Sequence, residues 1–211
     1  MIRLVPPAAA MAALLAAGCT RSPPTLPTDV AERAATCGVV AAAEARTAAG
    51  AKGQLPIAAQ GRILHYPLLA GAQGKAFDHA LADRAVKAQG PIGEDLLDRK
   101  WQGLIPACAE AYPATRVADP VLPPPPADAR LQCYMLADYM TKALGAQEGQ
   151  TYDDAIARYG TLKTRLDTAM ASRLGRLSPD ALRQSRAVAL AAAARLGQPI
   201  AVLGRCADRF G

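Results

Sequence analysis

Aromatic residues are scarce in this chain of 211 residues, where Trp, Tyr and Phe together make up 4%. Strands favour aromatic and β-branched residues, whereas alanine, which is abundant here, has the highest helix propensity. The composition therefore argues against a β-sheet fold and predicts an all-α protein. Single-stranded nucleic acid is usually bound by aromatic side chains interleaved with basic ones. No nucleic-acid partner is therefore expected, despite the formal net charge of +6.

Histidine is nearly absent as well, since the chain contains only His65 and His79. It also lacks Gly-x-Ser-x-Gly, His-Glu-x-x-His and a phosphate-binding loop, the motifs that would indicate a hydrolase, a metalloprotease or a nucleotide site. There is no Cys-x-x-Cys, and no histidine is close in sequence to a cysteine, which disfavours zinc or thiol chemistry. The sequence predicts no catalytic residue, no cofactor and no metal, and it favours a non-catalytic protein over an enzyme.

Long hydrophobic runs are missing too. The uncharged run over residues 4–17 is shorter than the about 20 residues that a membrane-spanning helix needs. With Arg3 in front of it, this run has the form of an export signal. We therefore predict that residues 1–18 are a signal peptide.

The signal ends in Leu15-Ala16-Ala17-Gly18-Cys19, which resembles the lipobox of bacterial lipoproteins. In that family the cysteine is lipidated and becomes the new N-terminus. The match departs at Ala16, where the family usually has leucine. The resemblance implies lipidation of Cys19 with several acyl chains, such as palmitate, and more than one chain gives a durable membrane anchor. The alternative is an ordinary secretory signal and a soluble periplasmic protein.

The resemblance also implies a location. Thr20 follows the cysteine, and the family's inner-membrane retention residue, aspartate, is absent. We therefore expect the periplasmic face of the outer membrane. Residues 19–28 contain three prolines, which stiffen and extend a chain, so this segment is predicted to be a tether.

Two later segments have the same residue pattern. Residues 104–112 read Leu-Ile-Pro-Ala-Cys-Ala-Glu-Ala-Tyr, and residues 202–210 read Val-Leu-Gly-Arg-Cys-Ala-Asp-Arg-Phe. Cys108 follows Cys37 by 71 residues, and Cys206 follows Cys133 by 73 residues. We therefore predict an internal duplication of two similar helical units, residues 29–112 and 128–211, joined by the Pro-rich residues 113–127. That linker is expected to be a stiff spacer, with a recognition site for a proline-binding module as the alternative.

Four cysteines remain when Cys19 is set aside. An even number of cysteines in an exported chain indicates disulfides, and four allow three pairings. The duplication favours Cys37–Cys108 and Cys133–Cys206. Each bridge would then join the first helix of a unit to its last helix.

Periodicity and capping residues place several helices. Thr28 or Asp29 can cap a first helix that ends at Gly50. Ser178-Pro179 and Pro199 have the order expected where helices begin. After residue 54 the repeated prolines and glycines predict short helices with loops, followed by a firmer helix over residues 75–88 and a break at residues 90–93. From residue 94 onward, one continuous helix is predicted from an apolar stripe of Leu97, Trp101, Leu104, Cys108 and Tyr112.

Basic residues are concentrated between residues 155 and 196, where eight lysines and arginines face only two acidic residues. Arg158 and Arg165 share a helix face by their spacing, as do Arg183 and Arg186. Arginine binds carboxylates and phosphates through a planar fork. These four residues are therefore a candidate site for an anionic envelope component or an acidic protein patch. The alternative is a solvated outer face of an alanine-rich helix pair.

The sequence as a whole indicates a membrane-anchored envelope protein, and it gives neither a ligand nor an oligomeric state. The first hypothesis is a non-catalytic protein that binds or scaffolds another component. The second is a small-ligand carrier or an enzyme with a cavity between the helical units, near Trp101, Tyr112, Tyr134 or Tyr139. A concave pocket with convergent polar groups would favour the second hypothesis.

Overall fold

The computed structural model describes residues 25–50, 53–98, 100–147 and 151–211. The predicted signal peptide, Cys19 and residues 20–24 lie outside the described residues. Within them the chain forms eight α-helices and two short 3₁₀ helices, with no strand. The prediction of an all-α fold is confirmed.

The first half of the protein, residues 29–112, contains four α-helices, and its first helix begins and ends where the sequence predicts. The Asp29 side chain accepts hydrogen bonds from the backbone N–H groups of Ala31 and Glu32, and Gly50 ends the helix in the left-handed conformation with φ 60°. These residues satisfy backbone groups that a helix leaves unpaired at its termini. The helices are α1 (Val30–Ala49), α2 (Ile57–Gly71), α3 (His79–Leu96) and α4 (Ile105–Ala111).

The second half also contains four α-helices, and proline begins three of them. Proline suits the first helical position because the N–H group that it lacks would be unpaired there anyway. The Ser178 side chain accepts a hydrogen bond from the Ala181 N–H group at the start of the third of these helices, as predicted. The helices are α5 (Pro126–Gly145), α6 (Asp153–Leu174), α7 (Pro179–Leu196) and α8 (Pro199–Phe210).

Both predicted disulfides are present. Cys37 and Cys108 are joined with a Cα–Cα distance of 5.4 Å, and Cys133 and Cys206 with 5.7 Å; the sequence separations are 71 and 73 residues. In each half the first helix packs against the other three: α1 against α2, α3 and α4, and α5 against α6, α7 and α8. The helical arrangement therefore recurs in the two halves, and each disulfide joins the first helix to the last.

The two halves share one hydrophobic core. Helix α2 lies between them, because it packs against α1 and α3 of its own half and against α7 and α8 of the other. Leu68 of α2 and Val202 of α8 are both fully buried in the same cluster. The backbone N–H group of Phe77 also donates a 3.0 Å hydrogen bond to the Ala187 carbonyl of α7. Burial of α2 by both halves makes them one packed body.

Two predictions about helix continuity are wrong. The continuous helix from residue 94 does not form, because α3 ends at Leu96, a 3₁₀ helix covers Trp101–Leu104, and α4 begins at Ile105. Pro106 lies in the first turn of α4, where its missing N–H group costs nothing. Leu97 consequently leaves the apolar stripe and is 53% exposed.

The expected breaks at Pro67 and Pro91 do not form either. Both prolines lie inside continuous helices, α2 and α3. Helix α2 is almost completely buried, and in α3 the residues next to Pro91 pack inward, with Ile92 against the core and Gly93 beside Val39 of α1. Packing of the flanking turns holds these helices together despite the one backbone donor that each proline removes.

The Pro-rich linker runs along the end of the second half. The Gln198 side-chain amide donates a hydrogen bond to the Thr115 carbonyl, and its backbone N–H group donates to the Val117 carbonyl. Arg209 of α8 donates to the carbonyls of Pro123 and Pro124. The linker is thus attached to α8 and to the turn before it.

No single helix among the described residues is long and apolar enough to cross a bilayer. Helices α7 and α8 together reach that length and composition, but the chain bends by 108° between them.

Candidate functional site

The structure places the four predicted anion-binding arginines on two helices that both pack against α5. Arg158 and Arg165 are exposed on α6, and Arg183 is exposed near the start of α7, where it forms an ion pair with Asp180. Arg186 is half-buried, and its guanidinium lies over the Tyr134 ring of α5 at 6.0 Å from the ring centroid.

Two of the neighbouring basic residues are held by structural contacts. Lys163 of α6 forms an ion pair with Asp138 of α5 at 3.0 Å. Arg195 of α7 donates hydrogen bonds to the carbonyls of Ala72 and Gly74, which follow the end of α2. The local excess of positive charge is therefore smaller at the surface than the sequence indicates.

The structure brings together basic residues of α6 and α7 at one point, beside Tyr134. A hydrogen bond from Lys163 to Asp138 raises the pKa of Lys163 above its usual value, and Tyr134 makes a smaller contribution in the same direction. Arg186 contacts the same tyrosine from α7, and its buried Nε has no hydrogen-bond partner among the described residues. No contact within the described part of the chain joins all four predicted arginines.

A second candidate site is a cleft between α3 and α5, with a volume of about 370 Å³. Helices α3 and α5 form its walls. Two buried leucines also line it, Leu64 of α2 and Leu190 of α7. The cleft therefore lies between the two halves of the protein. The other lining residues are His79, Asp83, Val86 and Gln89 of α3, Met135, Asp138, Tyr139, Lys142 and Ala143 of α5, and Ala146 and Gln147 after it.

One carboxylate in the cleft is already paired with cations. Asp138 forms ion pairs with Lys142 at 2.7 Å and with Lys163 at 3.0 Å. Burial alone would raise the pKa of Asp138, but the hydrogen bonds and charges of the two lysines outweigh it and leave the pKa below its ordinary value. Asp138 is thus a charged group whose charge is compensated within the protein.

The other carboxylate has no such partner. Asp83 is exposed on the opposite wall and forms no ion pair or hydrogen bond with another described residue. Asp83 and Tyr139 line the same cleft. Burial raises the pKa of the Tyr139 phenol above its usual value, and the negative charge of Asp83 adds to this effect. Tyr139 therefore stays neutral and presents an aromatic ring beside an uncompensated carboxylate.

Aromatic contacts hold the end of the cleft where α3 begins. The Phe77 ring lies edge-on to the His79 ring with centroids 4.8 Å apart, and edge-on to Tyr139 at 5.9 Å. Gly71 allows this arrangement, since a Cβ atom there would lie 2.5 Å from the Phe77 ring. The geometry of the site therefore depends on the turn between α2 and α3.

The sequence identified only part of this cleft. Tyr139 was expected near a cavity between the halves and does line one. Tyr134 packs beside the basic residues instead, Tyr112 is buried edge-on to Tyr66, and Trp101 packs against the core. The sequence missed Asp83 and Val86, although with His79 they form one face of α3 at helical spacing, because nothing in the sequence shows which helix lies opposite.

The cleft combines apolar walls with polar side chains from both halves. Among the described residues, no group of three or more His, Cys, Asp or Glu side chains could hold a metal ion. The chain matches no protein-family model, no curated protein and no solved structure.

Proposed function

We propose that this protein is an exported, lipid-anchored protein of the bacterial envelope that binds another component without catalysing a reaction. The observation that supports export is the pair of buried disulfides, Cys37–Cys108 and Cys133–Cys206. Disulfides persist in oxidising compartments such as the periplasm and are rare in the cytosol. They agree with the export signal that residues 1–18 resemble.

The anchor proposed for this protein is an acylated Cys19. The first helix begins at Val30, so the helical body would follow the lipid after the tether of residues 19–28. Several acyl chains on one cysteine hold a protein at a membrane durably. The proposed location is the periplasmic face of the outer membrane, with a soluble periplasmic protein as the alternative.

Metabolic labelling with a clickable palmitate analogue, followed by separation of inner and outer membranes, tests the anchor. We expect label on the wild-type protein in the outer-membrane fraction and none on Cys19→Ser. Thr20→Ser is the matched control, since it changes the adjacent residue and keeps the lipidation site. A wild-type protein that is exported, unlabelled and released with the periplasmic fluid would contradict the anchor and favour the soluble alternative.

The partner proposed for the basic residues is an anionic envelope component. Arg158 and Arg165 are exposed and form no ion pair with another described residue. Planar guanidinium groups suit carboxylates and phosphates. Binding of this kind weakens as salt rises, because screening shortens the range of exposed charges to about 8 Å at physiological ionic strength.

In-cell crosslinking tests this partner. One variant reverses the charge of Arg158, Arg165, Arg183 and Arg186 to glutamate. A second reverses four exposed basic residues elsewhere, Lys75, Lys87, Lys100 and Arg116, and so has the same net charge. We expect a crosslinked partner to be lost only from the first variant. Equal capture by both variants would exclude the four arginines as the binding site.

A second candidate function is supported by the cleft between α3 and α5. It combines apolar walls with polar groups that converge from both halves, as small-ligand sites do. The second candidate is therefore a small-ligand carrier or an enzyme that uses this cleft.

A further inference from the structure

The cleft between α3 and α5 is large enough for a small organic molecule. Its volume of about 370 Å³ lies within the roughly 300–1,000 Å³ range of small-molecule sites. Two buried leucines, Leu64 and Leu190, line it from below. An apolar ligand body would therefore contact packed hydrocarbon inside the cleft.

The α3 wall exposes hydrocarbon that a ligand would cover. Val86 is 47% exposed and is one of the few large apolar side chains left in water among the described residues. Met135, on the opposite helix, is half-buried and lines the same space. Covering Val86 would remove apolar surface from water, which favours binding. This surface selects an apolar body but says nothing about the polar end.

The charged side chains of the cleft indicate which polar group the ligand carries. The Asp138 carboxylate already has Lys142 and Lys163 as partners, whereas Asp83 has no partner among the described residues. Lys163 pairs with Asp138 from outside the lining, and among the lining residues two carboxylates, Asp83 and Asp138, face one cation, Lys142, so the lining has a net negative charge. The Tyr139 ring lines the same cleft as Asp83, and aromatic rings attract cations. An anion would meet the Asp83 carboxylate at close range.

We propose that the cleft binds a small cationic amphiphile, an amine with an apolar body. The ammonium group would pair with Asp83 beside Tyr139, and the body would pack on Val86, Leu64 and Leu190. This inference rests on the second candidate function and names its ligand class, and it requires neither acylation of Cys19 nor binding at the four arginines.

Three probes with one apolar body separate the contributions of charge and hydrocarbon. They are 4-phenylbutylamine, 4-phenyl-1-butanol and 5-phenylpentanoate, titrated by calorimetry into the full-length, disulfide-bonded protein in phospholipid nanodiscs, with empty nanodiscs as the blank. We expect the amine to bind about tenfold more tightly than the alcohol, and the acid to bind most weakly.

Two variants test the two halves of the site, and a third serves as the control. Asp83→Asn should remove the preference for amine over alcohol and leave binding of the alcohol unchanged. Val86→Trp should fill the cleft and weaken the amine and the alcohol alike, by about tenfold or more. Glu110→Gln removes an exposed carboxylate on α4 and should change neither affinity.

The proposal is overturned if wild-type protein binds none of the probes at millimolar concentration, or if it binds the acid as tightly as the amine. It is equally overturned if Asp83→Asn retains the amine preference. Circular dichroism of each variant shows whether it is folded. If Val86→Trp does not fold, the Asp83→Asn result alone decides. Absence of palmitate label on Cys19 would overturn the anchor and leave this result unaffected.

Discussion

His65 makes a buried contact between the two halves whose stability depends on pH. Its side chain is fully buried in α2, and its Nε2 lies 2.7 Å from the Ala194 carbonyl oxygen of α7. A neutral ring that donates from Nε2 fits this contact, while the buried Nδ1 has no partner among the described residues. Burial lowers the pKa of His65 from 6.5 to about 4, and the contact with Ala194 only partly opposes this.

This depressed pKa predicts a loss of stability in acid. In the unfolded chain His65 takes up its proton near pH 6.5, whereas the folded protein resists it until about pH 4. The stabilisation is complete above about pH 6.5 and falls as pH drops toward 4, by about 3 kcal/mol. Urea unfolding of the wild type and His65→Gln across this range measures it, because glutamine keeps a donor and does not titrate.

The matched control for His65 is His79→Gln, since His79 is exposed at the start of α3. The pH dependence should flatten in His65→Gln and persist in His79→Gln. If both variants retained the wild-type slope between pH 4 and 6.5, carboxylates rather than His65 would account for the acid sensitivity.

Single residues were also where the sequence was least informative. Arg195 counted as one of eight surface cations, but it donates to the Ala72 and Gly74 carbonyls at the end of α2. The burial of His65 depends likewise on α7, more than a hundred residues away in sequence. Short spacing predicts contacts within a helix, and such distant contacts become visible only when the helices are packed.

Prolines show what could be predicted at the scale of the helix. Pro179 and Pro199 begin α7 and α8 as predicted, because a first-turn proline removes no helical hydrogen bond. Pro67 and Pro91 were expected to interrupt helices and do not. The sequence shows where a proline removes a backbone hydrogen bond from a helix, but only tertiary packing shows whether the neighbouring turns offset that loss.

Gly61 lies where α2 crosses α8, and replacing it with alanine should have a different effect on stability from the same change at an open helical position. A Cβ atom on Gly61 would lie 2.3 Å from the Ile200 Cγ1, so the two helices pack closely because Gly61 has no side chain. Gly61→Ala should destabilise the protein by about 1–3 kcal/mol through overpacking, although alanine favours helix. Equilibrium unfolding in urea measures the change.

Gly160 of α6 provides the matched control, because a Cβ atom there would have no neighbouring atom within 4 Å. Gly160→Ala should be neutral or stabilising by up to about 1 kcal/mol, as helix propensity predicts. Equal stabilisation by both substitutions would show that α2 and α8 are further apart than the structure places them.

For the molecule as a whole, the sequence predicted the duplication better than it predicted the assembly. The cysteine spacing and the repeated pattern at the ends of the halves identified both disulfides, because each pair lies within one half. The shared core was not predictable, since α2 and α6 occupy equivalent positions in the duplication, yet α2 packs against helices of both halves whereas α6 packs against α5 and α8 of its own half. The cleft between α3 and α5 arises from that same asymmetric assembly.

The shared core predicts that loss of one disulfide weakens the whole molecule. Replacing Cys133 and Cys206 with alanine removes a cross-link over 73 residues, which in the chain-entropy model costs about 4 kcal/mol. Because α2 packs against both halves, unfolding should remain a single transition at lower denaturant. Fluorescence of Trp101, the one tryptophan in the chain, reports on the first half, and far-UV circular dichroism reports on all helices.

The two signals distinguish one cooperative body from two independent halves. If α2 couples the halves, removing the Cys133–Cys206 bridge shifts the Trp101 transition and the helical transition together, although Trp101 lies in the other half. Independent halves would keep the Trp101 transition at its wild-type denaturant concentration and give the helical signal two steps. In that case each half would unfold separately, and the packing of α2 between the halves would contribute little to the stability of the protein.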